Sequence, residues 1–130
     1  MRPPRPARAT RPVLARLACA IALVVAGGLS RPGPARAADD LFGRDKALHF
    51  AASAGIALGG YGGAALFTAN RPPRLVTGGG LALAAGIAKE ISDRYTGGDP
   101  SWRDLGWDVV GTATGLTLAY MIDWGIRRWW

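Results

Sequence analysis

The sequence predicts an all-α protein: a small membrane helical bundle of three up-down-up helices behind an N-terminal signal peptide. Three observations predict it. Apolar stretches of helix length at 47–67, 75–88 and 105–122 are separated by turn chemistry. Small residues recur every four positions along each stretch. Ionisable residues gather near the ends of the stretches and spare their middles.

The leader comes first. Residues 1–37 hold a basic start, an apolar run at 17–29, and Ala35-Arg36-Ala37 before a cut between Ala37 and Ala38. A basic n-region, a short h-region and an A-x-A site make a secretory signal peptide. Kept uncleaved, it would be a fourth helix with the same topology. Its seven arginines equal the whole formal charge of +7, leaving nine basic and nine acidic residues in 38–130. The basic balance is therefore an export signal, and nucleic-acid binding is not expected. Cys19, the one cysteine, lies in this leader, so disulfides, thiolate metal sites and cysteine nucleophiles are excluded from 38–130. It lies at the start of the apolar run, three residues after Arg16, with most of the run behind it, whereas a lipid-bearing cysteine must follow the run, so lipidation through Cys19 is not expected either.

The three-helix domain occupies 38–130, with helices expected at about 45–67, 75–92 and 102–123. Residues 68–74, with Pro72 and Pro73, read as a turn because paired prolines break a helix. Residues 93–100 are loop chemistry. Mean hydropathy is only +0.12, which makes membrane insertion marginal. The small residues Ala51, Gly55, Gly59, Gly63; Gly78, Ala82, Gly86; and Gly111, Gly115 favour it. Such stripes let helix backbones approach closely where dispersion drives association. In water so much glycine would cost up to about 1 kcal/mol per residue relative to alanine.

Charge agrees with a bilayer. An N-terminus outside puts Arg71, Arg74, Arg127 and Arg128 inside, as the positive-inside rule requires. Aromatic belts would be Tyr95, Trp102 and Trp107 outside, with Tyr120, Trp124, Trp129 and Trp130 inside. The expected location is the bacterial inner membrane with the polar cluster facing the periplasm; the alternative is a soluble or peripheral periplasmic protein.

Up-down-up topology brings the start of the first helix, the end of the second and the start of the third to one end. That gathers the binding candidates Asp45, Lys46, His49, Lys89, Glu90, Asp93, Asp104 and Asp108. Asp45, His49 and Ser53 follow i, i+4, i+8 on one face. Glu90 continues the Gly78–Ala82–Gly86 stripe, against the field at a helix C-terminus, which calls for another reason for its presence. Ser101 to Asp104 has the capping-box spacing, and Lys89 suits a helix C-terminus. The bland reading is a network of ion pairs, with Lys46, Lys89, Arg94 and Arg103 neutralising four acids. The functional reading makes His49, Glu90, Asp104 and Asp108 metal candidates, for a divalent cation with oxygen-rich ligation or a zinc. His49, Glu90 and Asp108 are the catalytic candidates, with His49 able to act as a general base. No organic cofactor is called for.

Asp45-Lys46-x-x-His49-Phe50, Lys89-Glu90-x-x-Asp93 and Ser101-Trp102-x-Asp104-x-x-x-Asp108-Val109-x-Gly111-x-x-x-Gly115 resemble the YfiM-type family of small bacterial envelope proteins, often labelled lipoproteins. The chain is more distantly similar to VanZ-like membrane proteins. There Asp93 stands where that family carries Gln, and Asp108-x-x-Gly111 where it carries Asn-x-x-Gly. The resemblance implies a membrane-associated envelope protein without an established reaction, and for VanZ-like proteins a link to teicoplanin resistance. Two functions are carried forward. The first is non-enzymatic: the cluster binds a headgroup, a cation or a partner, such as another envelope protein or a second copy, among membrane lipids. The second is a membrane-embedded metal-dependent hydrolase acting on a lipid or lipid-linked substrate. One histidine and no second catalytic motif lean towards the first.

Overall fold

The computed structural model describes residues 41–129; the leader, its cut site, Cys19 and Trp130 lie outside them. The described chain is all helix and turn: α1 (Arg44–Ala64), α2 (Arg71–Thr96) and α3 (Trp102–Trp129). They run up, down and up, with α1 packed most extensively against α3.

Each boundary has a local cause. α1 starts from Gly43 in extended conformation and ends three residues early, in a turn where Leu66 and Phe67 donate to the carbonyls three residues back. Pro72 and Pro73 do not lie in the turn: they form the first turn of α2. There the N–H groups they lack would have had no helical partner, and their fixed φ suits the helix. α2 then outruns its expected end by four residues, to Gly97 at φ 80°, where Gly98 N–H closes onto Asp93 O at 2.9 Å. That left-handed position is the usual glycine helix stop. α3 continues six residues past its expected end, carried by the Asp123–Arg127 i,i+4 pair.

Glycine sets the helix spacing, though not along every expected stripe. A Cβ on Gly111 would lie 2.3 Å from Phe50 O, one on Gly115 2.2 Å from Ala54 O, and one on Gly78 2.4 Å from Ala57 O. These three let α3 and α2 lie directly on the α1 backbone. On α1 the expected contact stripe is wrong: Gly55 and Gly63 face open space and Ala51 is exposed. Its buried face is Lys46, His49, Ser53, Ala57 and Tyr61. The small residues α1 brings to the contacts are off the expected stripe: Ala54 lies under Gly115, Ala57 under Gly78, and a Cβ on Gly60 would come within 2.9 Å of the Gly78 backbone.

The bundle is polar inside and apolar outside. Among the described residues Lys46, His49, Ser53, Arg74, Glu90, Asp104, Asp108 and Thr112 are buried, and the apolar side chains buried with them are only Ala57, Tyr61, Ala82 and Ala119. The large aliphatics point outward, among them Val76, Leu83, Ile87, Val109, Val110 and Ile122. Yet no helix among the described residues is long and apolar enough to cross a membrane, contrary to the expected three spans. The reason is compositional. Alanine and glycine fill positions where a typical span carries leucine or isoleucine, and ionisable groups trim both ends.

Candidate functional site

At the end shared by the starts of α1 and α3 and the end of α2, five of the eight expected residues meet in the interior. Lys46 and His49 come from α1, Glu90 from α2, and Asp104 and Asp108 from α3; all are at most 9% exposed. Asp108 is the hub. His49 Nδ1 lies 3.2 Å from both of its carboxylate oxygens, and Ser53 Oγ donates to Oδ1 at 2.6 Å. Gly86 makes the space: a Cβ there would come within 2.3 Å of Asp108 Oδ2. Gly86 thus belongs to the site through the side chain it admits, a role that its place in the small-residue stripe signals only indirectly. Ser53 was legible as the next member of the His49 face.

A carboxylate carries no proton to give, so Asp108 accepts the Nδ1 proton and leaves His49 Nε2 to the rest of the pocket. Nε2 faces two more carboxylates, 3.8 Å from Glu90 Oε1 and 3.9 Å from Asp104 Oδ2. Asp104 is ion-paired to Lys46. Glu90 is held through its other oxygen, which accepts the Ser101 N–H at 2.7 Å, while Oε1 is buried without a hydrogen bond. The Ser101 N–H is the donor that the expected capping box assigns to Asp104. Glu90, from the preceding helix, takes it, and Asp104 is turned into the pocket. Ser101 still caps α3 through its own Oγ, which accepts from Arg103 N–H at 3.2 Å.

The other three expected residues stand apart from the interior. Asp45 is exposed at the rim, 3.9 Å from Lys46 Nζ. Lys89 and Asp93 pair with one another one turn apart on α2, partly in solvent. They form a separate surface ion pair and do not join His49: Lys89 is one position before Glu90, and a helix turns by about 100° per residue, which carries its side chain off the inner face.

Glu90 and Asp104 lie just beyond the apolar stretches 75–88 and 105–122. Burial pushes both carboxyls above their ordinary range. The Ser101 N–H draws Glu90 part of the way back, and Lys46 does the same for Asp104. Three interior carboxylates against one lysine leave two negative charges uncompensated when His49 is neutral. Such a set is costly unless protons or a cation supply the balance.

The donors suit a metal ion. Asp45, His49 and Asp104 can each bring one ligand atom within 4.8 Å of the others. The His49 Nε2 to Asp104 Oδ2 separation of 3.9 Å exceeds by only about half an ångström that around a tetrahedral zinc with bonds of about 2.1 Å, while Glu90 Oε1, 3.8 Å from His49 Nε2, stands beside this group and outside it. A histidine held through its other nitrogen by a carboxylate is the usual outer support of a metal-bound imidazole. No protein-family model matches the chain, and neither a curated protein nor a solved structure does.

Proposed function

We propose that this chain is a small envelope membrane protein that binds a divalent cation at the outward end of its bundle. Asp45 from the rim, His49 through Nε2, and Asp104 are the ligands, Glu90 Oε1 stands beside them 3.8 Å from His49 Nε2, and Asp108 with Ser53 orients the imidazole. One observation carries this reading: a histidine pinned through Nδ1 presents its free nitrogen to two carboxylates, one of them with an unpartnered buried oxygen. Mixed imidazole and carboxylate ligation favours zinc or manganese over magnesium and calcium, which take oxygen alone.

The bilayer half of the proposal rests on the apolar exterior. Hydropathy averaged along a helix counts the polar groups that the fold turns inward, whereas lipid meets only the outer face. We therefore have the three helices enter the inner membrane together, after export by the leader, with membrane lipids as partners along Val76, Leu83, Val109 and Ile122. The resemblance to the YfiM-type and VanZ-like families supports the same location. The hydrolase reading is kept as the alternative on one feature: Glu90 Oε1, beside the cation, is placed to take a proton from a bound water.

Metal analysis of the purified full chain tests the site. Wild type is expected to hold about one equivalent of zinc or manganese, and His49→Ala essentially none. A metal-free wild type after exposure to both ions would overturn both the cation reading and the hydrolase.

A further inference from the structure

The opposite end of the bundle holds a second charged cluster with the reverse imbalance. Asp123 on α3 is the only acid there among the described residues, and three arginines converge on it. Arg71 Nε reaches Oδ2 at 2.8 Å, Arg74 Nη1 reaches Oδ1 at 2.7 Å, and Arg127 Nε lies 3.0 Å from the carboxylate. Arg74 is buried and fully used, since its remaining nitrogens donate to Thr68 O at 2.9 and 2.6 Å. It reads as a clamp on the α1–α2 turn.

Arg71 and Arg127 differ. Arg71 also donates to Tyr120 OH at 3.2 Å and lies over that ring, and Arg127 donates to Ala69 O. Each keeps one terminal nitrogen, Arg71 Nη2 and Arg127 Nη1, without a bond among the described residues. Both side chains line an open cleft of about 540 Å³ together with Ala69, Asn70, Pro72 and Pro73. One carboxylate for three guanidinium groups leaves two positive charges in excess beside that cleft.

The excess selects an anion, and the chain around the cleft selects its kind. Pro72 and Pro73 have no N–H, so the start of α2 offers little backbone to an anion and recognition falls to the guanidinium groups. Planar guanidinium donors from two sides match a tetrahedral oxyanion bearing several acceptors, and phosphate is their common partner. Leu66 and Phe67, three and two residues before Ala69, are 52% and 90% exposed. Apolar side chains of that size beside a basic cleft suit a ligand that is charged at one end and apolar beyond it.

We propose that the cleft binds the phosphate headgroup of an anionic phospholipid, with Arg71 and Arg127 as donors and Leu66 and Phe67 against its acyl chains. The membrane reading enters only in naming a lipid as the source of the phosphate; the His49 cluster plays no part.

The test uses the full chain in neutral detergent micelles and follows the thermal unfolding midpoint. Phosphatidylglycerol mixed into the micelles is expected to raise it by roughly 5 °C or more near saturation, and phosphatidylcholine by much less. Arg127→Gln leaves the Arg71 and Arg74 pairs with Asp123 in place, so the bundle should fold while most of the shift is lost. Arg128→Gln removes the same charge from the same end but outside the cleft, where Arg128 lies over Trp124, and should keep the shift. His49→Ala should keep it too, which separates this site from the cation site. Equal shifts with the two lipids, equal losses in Arg127→Gln and Arg128→Gln, or loss in His49→Ala would each overturn the proposal. A full shift from inorganic phosphate alone would overturn the lipid assignment.

Discussion

Replacing Gly86 with alanine sets two physical effects of opposite sign against each other. By helix propensity alone, Gly→Ala within α2 stabilises by up to about 1 kcal/mol. In place, the new methyl would lie 2.3 Å from Asp108 Oδ2 and 2.8 Å from its Cγ, so the carboxylate must move. It is not a flexible surface group: Asp108 is 2% exposed and is held by Ser53 and His49. Displacing it gives up two hydrogen bonds to a charged acceptor, each worth about 1.5–3 kcal/mol. Offset by the propensity gain, the net loss is about 2–5 kcal/mol. Denaturant unfolding of the purified protein measures it, with Gly80→Ala as the control, because Gly80 faces open space. Gly80→Ala should be neutral or slightly stabilising. A Gly86→Ala protein as stable as wild type, with unchanged metal affinity, would refute the placement of Asp108 against α2.

Asp108→Asn keeps the shape of the hub but removes the charge that orients His49, so metal affinity should fall about 10- to 100-fold in a chelator competition. Stability of the metal-free protein should depend on pH in the direction opposite to ordinary acid unfolding. Glu90 and Asp104 have carboxyls raised by burial, so in that window the folded state binds more protons than the unfolded state, and stability rises as pH falls. In a His49→Gln background, where no imidazole titrates, the unfolding midpoint should increase from pH 7 towards the unfolded carboxylate range near 4.5; a midpoint that falls steadily would contradict burial of these acids. Cysteines placed at Thr96 and Asn70 should label from the outside and the inside of intact cells respectively, and the reverse pattern would overturn the orientation.

Much of this was legible because it depends on spacing. The i, i+4, i+8 placement of Asp45, His49 and Ser53 put His49 and Ser53 on the inner face, and the Gly78–Ala82–Gly86 stripe carried Glu90 inward. Asp45 escaped because the buried face of α1 runs Lys46, His49, Ser53, Ala57 and Tyr61, so in the first turn Lys46 takes the inward position and Asp45 lies at its edge. Lys46 was visible as a charge, but its burial depends on Asp104 arriving from 58 residues away. The capping role of Glu90 was hidden for the same reason: Ser101 to Asp104 is a complete local signal, and only the α2–α3 connection brings a competing carboxylate to the Ser101 N–H. Pro72 and Pro73 illustrate a different ambiguity, since the same residues that end one helix also suit the first turn of the next. The arginine cluster was read only as a topology signal, because nothing in its spacing reveals that Asp123 collects three guanidinium groups.

The outward display of Val, Leu and Ile over a polar interior reverses the usual map of tolerance to substitution. In most proteins the surface accepts polar changes while the interior accepts apolar ones of matching size. Here Ala57 and Ala82, both fully buried, leave no room for a larger apolar residue, and Ser53, Asp108 and Glu90 cannot become apolar without breaking the network. Leu83, Val109 or Ile122 should exchange freely with one another yet fail as lysine or glutamate. A scan of all substitutions would show polarity policed on the outside and charge protected within, and such a profile would report the solvent surrounding this protein without any direct view of it.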